Sequence, residues 1–329
     1  MVTINHGSFV ISLDFELFWG VKDSANTAYK QNILGVHHVF PEILELFSKY
    51  NINATVATVG FLFFKDKTEL LLHLPHLKPT YIRTLLSPYD EGFIKNVKEE
   101  DSELFFAPQL INLLKKQDNV EIGTHTFCHY YCWEKGQTIE QFEADIQAAV
   151  KAAKQNGIDL KSIVFPRNHI QEEYLPVLSK YGITSYRGNP DNFYENTTTV
   201  FSGLKNRVLR LLDAYINVSS DNLIAYNDIV SGTLPFNIPA SRFLRPYSAK
   251  LSVFDGIKLN RIKKEMNKAA KEKKIYHLWW HPHNFGINQE KNLAMLEDIL
   301  KHYKYLNETH DFHSYSMRQL TENLLKQNE

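Results

Sequence analysis

Short apolar runs alternate with helix-spaced stretches along this chain, which predicts an α/β fold with parallel strands. A second observation agrees. The strand-like runs end in polar residues of catalytic type, namely Asp14/Glu16, His125/His129, Arg167/Asn168 and His281/His283. In parallel α/β folds the site forms at the carboxyl ends of the strands. A third is length: 329 residues can hold one large α/β barrel or two medium domains.

Phe9 to Gly20 (FVISLDFELFWG) reads as a strand running into two carboxylates. Strand side chains alternate, so Phe9, Ile11 and Leu13 share one face, and Val10, Ser12, Asp14 and Glu16 the other. Val36 to Tyr50 has helical spacing at Val39, Ile43, Leu44 and Phe47, with Pro41 expected in its first turn. Asn53 to Gly60 (NATVATVG) is the second strand and completes a βαβ start. Residues 61–80 look partly helical, residues 78–108 are an irregular charged excursion, and 107–117 form a short helix. Asn119 to Thr124 is the third strand, followed by a helix over Thr138 to Gln155 with Thr138 as N-cap. Ser162 to Phe165 and Ile183 to Tyr186 are the fourth and fifth strands, separated by a helix over Glu172 to Tyr181 that stops at Gly182. Residues 188–260 carry too few apolar periods for a second core and read as a long insertion, with a helix near 202–217. Leu259 to Lys273 is a basic amphipathic helix whose lysines form a solvated face. Ile275 to Trp280 is a strand, Gln289 to Tyr305 a helix, His310 to His313 a short strand and Met317 to Gln327 a last helix. The expected organisation is one domain over 1–329, with insertions at about 78–108 and 188–260.

With 37 basic and 37 acidic residues the formal net charge is zero, which argues against a general nucleic-acid or membrane-surface binder. No stretch approaches the roughly 20 apolar residues of a membrane span. The start, MVTINHGSFV, lacks the pattern of a secretory signal, and the two cysteines, Cys128 and Cys132, make no disulfide framework. These features lead to an expectation of a cytoplasmic protein. Oligomeric state is not readable.

Two carboxylates at the mouth of a buried strand repel each other unless a cation or donor sits between them. In H-T-F-C-H, the spacing of His125 and His129 lets both imidazoles reach one ion. One carboxylate added to them suits Zn²⁺ or another divalent metal. A structural zinc knot of His125, Cys128, His129 and Cys132 is the alternative, but its ligands are crowded into eight residues. On the last strand His277, Trp279, His281 and His283 share the face expected to point into the site; His281, fixed by Pro282, is a natural proton donor, and His277 lies lower as a core histidine.

SLDFE, HTFCH, FPRN and WWHPH, in this order, together with NATVATVG, resemble the polysaccharide deacetylase family (NodB-homology, carbohydrate esterase family 4) from about residue 8 to about 285. The resemblance implies a distorted (β/α)7-type barrel and metal-dependent hydrolysis of an N- or O-acyl group on a sugar. It further implies Asp14 as general base, Arg167 as the arginine that holds it, His281 as general acid, and Glu16, His125 and His129 as ligands of a divalent metal, Zn²⁺ first. Trp19, Asn168, Trp280 and His283 are the candidate substrate contacts. The chain departs from the family pattern in having Asp-x-Glu for adjacent aspartates, Pro before Arg167, and no clear acidic-aromatic motif, for which Asp191 is a poor candidate. The expected substrate is a small or carrier-linked acetylated sugar of surface-polysaccharide assembly. The alternatives are an amidohydrolase of the same fold on a non-sugar, a metal-free glycosidase using Asp14 or Glu16, or a catalytically silent carbohydrate-binding relative.

Overall fold

The computed structural model describes residues 4–23, 27–90, 93–190, 213, 215 and 221–327. The nine strands found among them are β1 (Gly7–Phe15), β2 (Ala54–Thr58), β3 (Val120–Thr124), β4 (Ser162–Ile163), β5 (Ser185–Tyr186), β6 (Phe236–Asn237), β7 (Arg242–Phe243), β8 (Ile275–Trp280) and β9 (Phe312–Tyr315). They run β6-β5-β4-β3-β2-β1-β8-β7, with β9 beside β1, and every one of these pairings is parallel.

The two ends of that order are joined by one extended segment. Its first half bonds to β5 and to Gly188 just beyond it, with Ile238 N–H donating to Tyr186 O and Ala240 N–H to Gly188 O, both at 2.9 Å. Its second half crosses to β8, with Ser241 N–H donating to His277 O and Leu244 N–H to Trp279 O, both at 2.8 Å. The sheet therefore closes into a distorted barrel of the (β/α)7 kind, with β1, β2, β3, β4, β5, the shared segment and β8 as its staves. The stretch 188–260 is thus more than an insertion, because it supplies the closing stave. Two-residue strands separated by Pro239 carry no apolar run that sequence reading could detect. Most of the helix expected near 202–217, and Asp191, lie outside the described residues.

The alternation of β1 decides what each layer contains. Phe9, Ile11, Leu13 and Phe15 point outward into the main core with Phe40, Ile43 and Phe47 of the helix Val36–Lys49. Burying each such side chain is worth roughly 1.5–3 kcal/mol. Val10 points inward and joins Ile238, Ile275, Met317 and Leu320 in a second cluster. Through these contacts the helix Met317–Lys326 covers the amino-terminal end of the barrel. Above Val10 the inward side chains are polar: Ser12, then Asp14. Pro41 falls inside its helix rather than in the first turn, because Lys30–Leu34 is already helical and continues through Gly35 (φ −61°, ψ −17°). Thr138 caps Ile139–Gln155 through a capping box with Gln141.

The turn after β8, Pro282–Phe285, carries His283 and is docked against Lys30–Leu34 by two glycines. A Cβ on Gly35 would lie 1.9 Å from Gly286 O, and one on Gly286 would lie 1.9 Å from Asn32 O. Both obstacles are backbone, and Asn32 Nδ2 donates to His283 O at 3.2 Å across the same contact. Gly286→Ala is expected to lower unfolding stability by about 1–3 kcal/mol in a urea titration; an unchanged midpoint would show that the approach is looser than described.

Candidate active site

The carboxyl ends of β1, β3, β5 and β8 meet over the barrel mouth. Asp14 is the last inward side chain of β1, and Glu16 comes next as the chain turns, at φ −131° and ψ −15°. Both are 3% exposed. Gly20 makes room for Glu16: a Cβ there would lie 1.9 Å from its carboxyl carbon.

Asp14 is held by an arginine, but not by the one expected. Arg187, fully buried one residue past β5, donates through Nη1 to Asp14 Oδ1 at 2.6 Å and through Nη2 to Oδ2 at 2.8 Å. The same guanidinium donates to Ser12 Oγ at 3.0 Å and to Asn168 Oδ1 at 2.8 Å, and lies 4.1 Å from the Trp279 ring centre. Burial, the largest single effect, would raise the Asp14 carboxyl, yet the charge and hydrogen bonds of Arg187, with His125 and His281 nearby, together leave Asp14 below the ordinary value. Arg167 instead turns to the rim. It pairs with Asp23 and stacks 4.2 Å from the Tyr131 ring centre, with its side chain about one-third exposed. The physical reason is local: after Pro166 both Arg167 (φ 57°) and Asn168 (φ 54°) are left-handed, which aims Asn168, not Arg167, at the interior.

The loop after β3 brings in the two histidines. Thr126 and His129 take positive φ, 63° and 61°. Asp145, buried on Ile139–Gln155, holds that shape by accepting from the N–H groups of Phe127 at 2.7 Å and Cys128 at 3.1 Å. His125 Nε2 and His129 Nε2 then converge on one oxygen, Glu16 Oε2, at 3.2 and 3.1 Å. His125 Nδ1 lies 2.8 Å from Val164 O, a pure acceptor, so Nδ1 carries the hydrogen. In the neutral ring Nε2 then offers a lone pair toward a carboxylate. Burial holds His129 down at about 4, so near neutral pH His129 is uncharged. The His125 lone pair facing a carboxylate in a buried site calls for a cation between them, and two imidazoles with one carboxylate form a donor set that fits a divalent ion.

From β8, His281 Nε2 approaches Asp14 Oδ2 at 3.6 Å and Glu16 Oε1 at 3.7 Å, its side chain about one-quarter exposed. His283 Nδ1 lies 3.9 Å from Glu16 Oε1 and is buried. His277 is the core histidine expected: Nε2 meets Ser12 Oγ at 2.8 Å and Nδ1 meets Pro239 O at 3.0 Å.

Two expected substrate contacts fall elsewhere. Trp19 is fully buried among Phe61, Phe93, Phe105 and Phe106, with its indole N–H on Phe105 O. Trp280 is fully buried against Phe47 and Phe285, on the outward face of β8. Neither leaves a ring face for a ligand; the tryptophan beside the site is its half-buried neighbour Trp279. Asn168 reaches the site through Arg187. Both cysteines are free and buried, and the two groups of described residues able to share an ion contain only Glu16 with His125/His129 or with His281/His283.

The two arginines separate in an unfolding experiment. Arg187→Met strands a buried carboxylate and is expected to cost about 3–5 kcal/mol, whereas Arg167→Met is expected to cost less than about 1 kcal/mol. Equal losses in parallel urea titrations would contradict the assignment of Arg187 to Asp14.

Comparison with known proteins agrees with this architecture. Residues 34–186 match the polysaccharide deacetylase family model. No curated protein matches the sequence. Among solved structures, a Mycobacterium smegmatis protein classed with the polysaccharide deacetylases aligns with a TM-score of 0.59 at 13% identity, covering 100% of this chain and 93% of its own. A Pseudomonas aeruginosa protein of the same class aligns at 0.56 and 10% identity, covering 97% and 91%. The PuuE allantoinase aligns at 0.55 and 10% identity, covering 96% and 89%. At these identities the structures speak for the fold. No helix among the described residues is long and apolar enough to cross a membrane. Residues 34–186 thus match the polysaccharide deacetylase family, within a fold shared with solved structures of that class.

Proposed function

We propose that this protein is a metal-dependent hydrolase that removes an acyl group, N-acetyl in the simplest case, from a sugar or sugar conjugate. The observation that carries the reading is the convergence of His125 and His129 on Glu16 Oε2, beside an Asp14 locked by Arg187. The family match over residues 34–186 supports the hydrolase class and the acetylated-sugar substrate. A carrier-linked or small sugar of surface-polysaccharide assembly is the substrate we favour.

Glu16, His125 and His129 would hold the ion, which when bound supplies Lewis-acid polarisation of the acyl oxygen and of water. Asp14, kept ionised by Arg187, takes the proton of the attacking water. Its bidentate grip on the guanidinium fixes the carboxylate plane, with Oδ2 3.6 Å from His281 Nε2. His281 hands a proton to the leaving nitrogen. Phe243 and Trp279, 4.8 Å apart and both half-buried beside His281, form an apolar wall suited to one face of a sugar ring. Ser12 and His277 act only through Arg187, by holding its Nη1 from below.

The test is acetate release from N-acetylated hexosamine substrates, with and without chelator. Release that stops on chelation and returns with Zn²⁺ is expected; no release from any acetylated sugar in the metal-loaded protein would sink the reading. Asp14→Asn is expected to keep its metal and lose at least ~10² in kcat. Full activity in that variant would remove Asp14 as the base.

A further inference from the structure

Glu16 has two carboxylate oxygens, and Oε2 is the one that faces His125 and His129, which with it would hold the first ion. The other oxygen faces a second imidazole pair: His281 Nε2 at 3.7 Å and His283 Nδ1 at 3.9 Å. These separations are too long for hydrogen bonds. All three donor atoms nevertheless lie within 4.8 Å of one another. Donors held about 2.0–2.2 Å from a shared tetrahedral ion stand roughly 3.3–3.6 Å apart, and a modestly wider angle reaches the observed distances. The two rings stack at 4.8 Å with an interplanar angle of 22°. The far nitrogen of His281, Nδ1, is buried without a hydrogen-bond partner, so no protein acceptor fixes its tautomer. His283 is pinned from behind by Tyr29 and by the glycine contact at Gly286. His281 is the exposed member of the trio and opens it to solvent.

We propose that Glu16 Oε1, His281 and His283 form a second, weaker divalent-cation site, and that filling it arrests hydrolysis by occupying the nitrogen that must protonate the leaving group. The inference rests on the proton-donor role of His281 in the proposed reaction. The second site is the weaker because its carboxylate is already shared with the first ion and one ligand is partly solvated. At low cation concentration only the Glu16/His125/His129 set fills, and His281 Nε2 is free to carry a proton. In excess cation that lone pair binds metal and can carry none.

The full chain, stripped with chelator, is dialysed against rising Zn²⁺ and the bound metal is counted by atomic emission. Two ions per chain are expected at saturation, in two steps, with acetate release falling by roughly 10² along the second step. His283→Gln is expected to saturate at one ion, which also shows that it is folded. Wild-type saturation at one ion, or two ions in His283→Gln, overturns the proposal. A fall-off that precedes the second binding step overturns it too. Counting ions needs no turnover. A chain that hydrolyses nothing but binds two ions, and one in His283→Gln, defeats the deacetylase reading and supports the second site.

Discussion

Two carboxylates buried side by side at the mouth of β1 are the constraint around which the molecule is built. Each, alone, would take up a proton to escape burial. Asp14 is kept charged by a guanidinium with no exposure to solvent, and Glu16 by whatever stands between it and the imidazoles around it. The remaining strand ends deliver those counter-groups: β3 sends the histidine loop, β5 sends Arg187 and β8 sends His281 and His283.

The fold serves that constraint at several distances. The floor of the barrel is apolar and covered by a helix, so the polar column of Ser12, Asp14, His277 and Arg187 opens only upward. The histidine loop adopts left-handed backbone at Thr126 and His129, a geometry that costs of order 1–3 kcal/mol per residue and persists only where surroundings enforce it. Asp145 does so from beneath by binding two consecutive backbone N–H groups. Gly20, Gly35 and Gly286 supply the close approaches that bring a carboxylate and the His283 turn into place.

Much of this is legible in the chain. The period of two in β1 separates the outward Phe9, Ile11, Leu13 and Phe15 from the inward Ser12 and Asp14, and the structure keeps that division. Polar residues at strand ends locate Asp14, Glu16, His125, His129, His281 and His283, all of which meet. The same rule, applied to I-T-S-Y-R-G, points to Arg187 just past β5; Arg167 stands out through its place in a motif, whereas backbone handedness after Pro166 decides which arginine turns inward. Trp19 and Trp280 are misplaced by sequence because an aromatic near a strand end reads alike whether it packs against helices or faces a ligand. The closing stave is invisible there because its strands are two residues long and are defined by long-range hydrogen bonds rather than by local pattern.

X-ray absorption of the protein loaded with a single equivalent of Zn²⁺ tests the assignment of Glu16, His125 and His129 most directly. The prediction is a first shell of nitrogen and oxygen alone at about 2.0–2.2 Å, with imidazole scattering behind it. A sulfur shell at about 2.3 Å would place the ion on Cys128 or Cys132 instead, and a protein that holds no zinc at all would contradict the assignment of a cation to Glu16, His125 and His129.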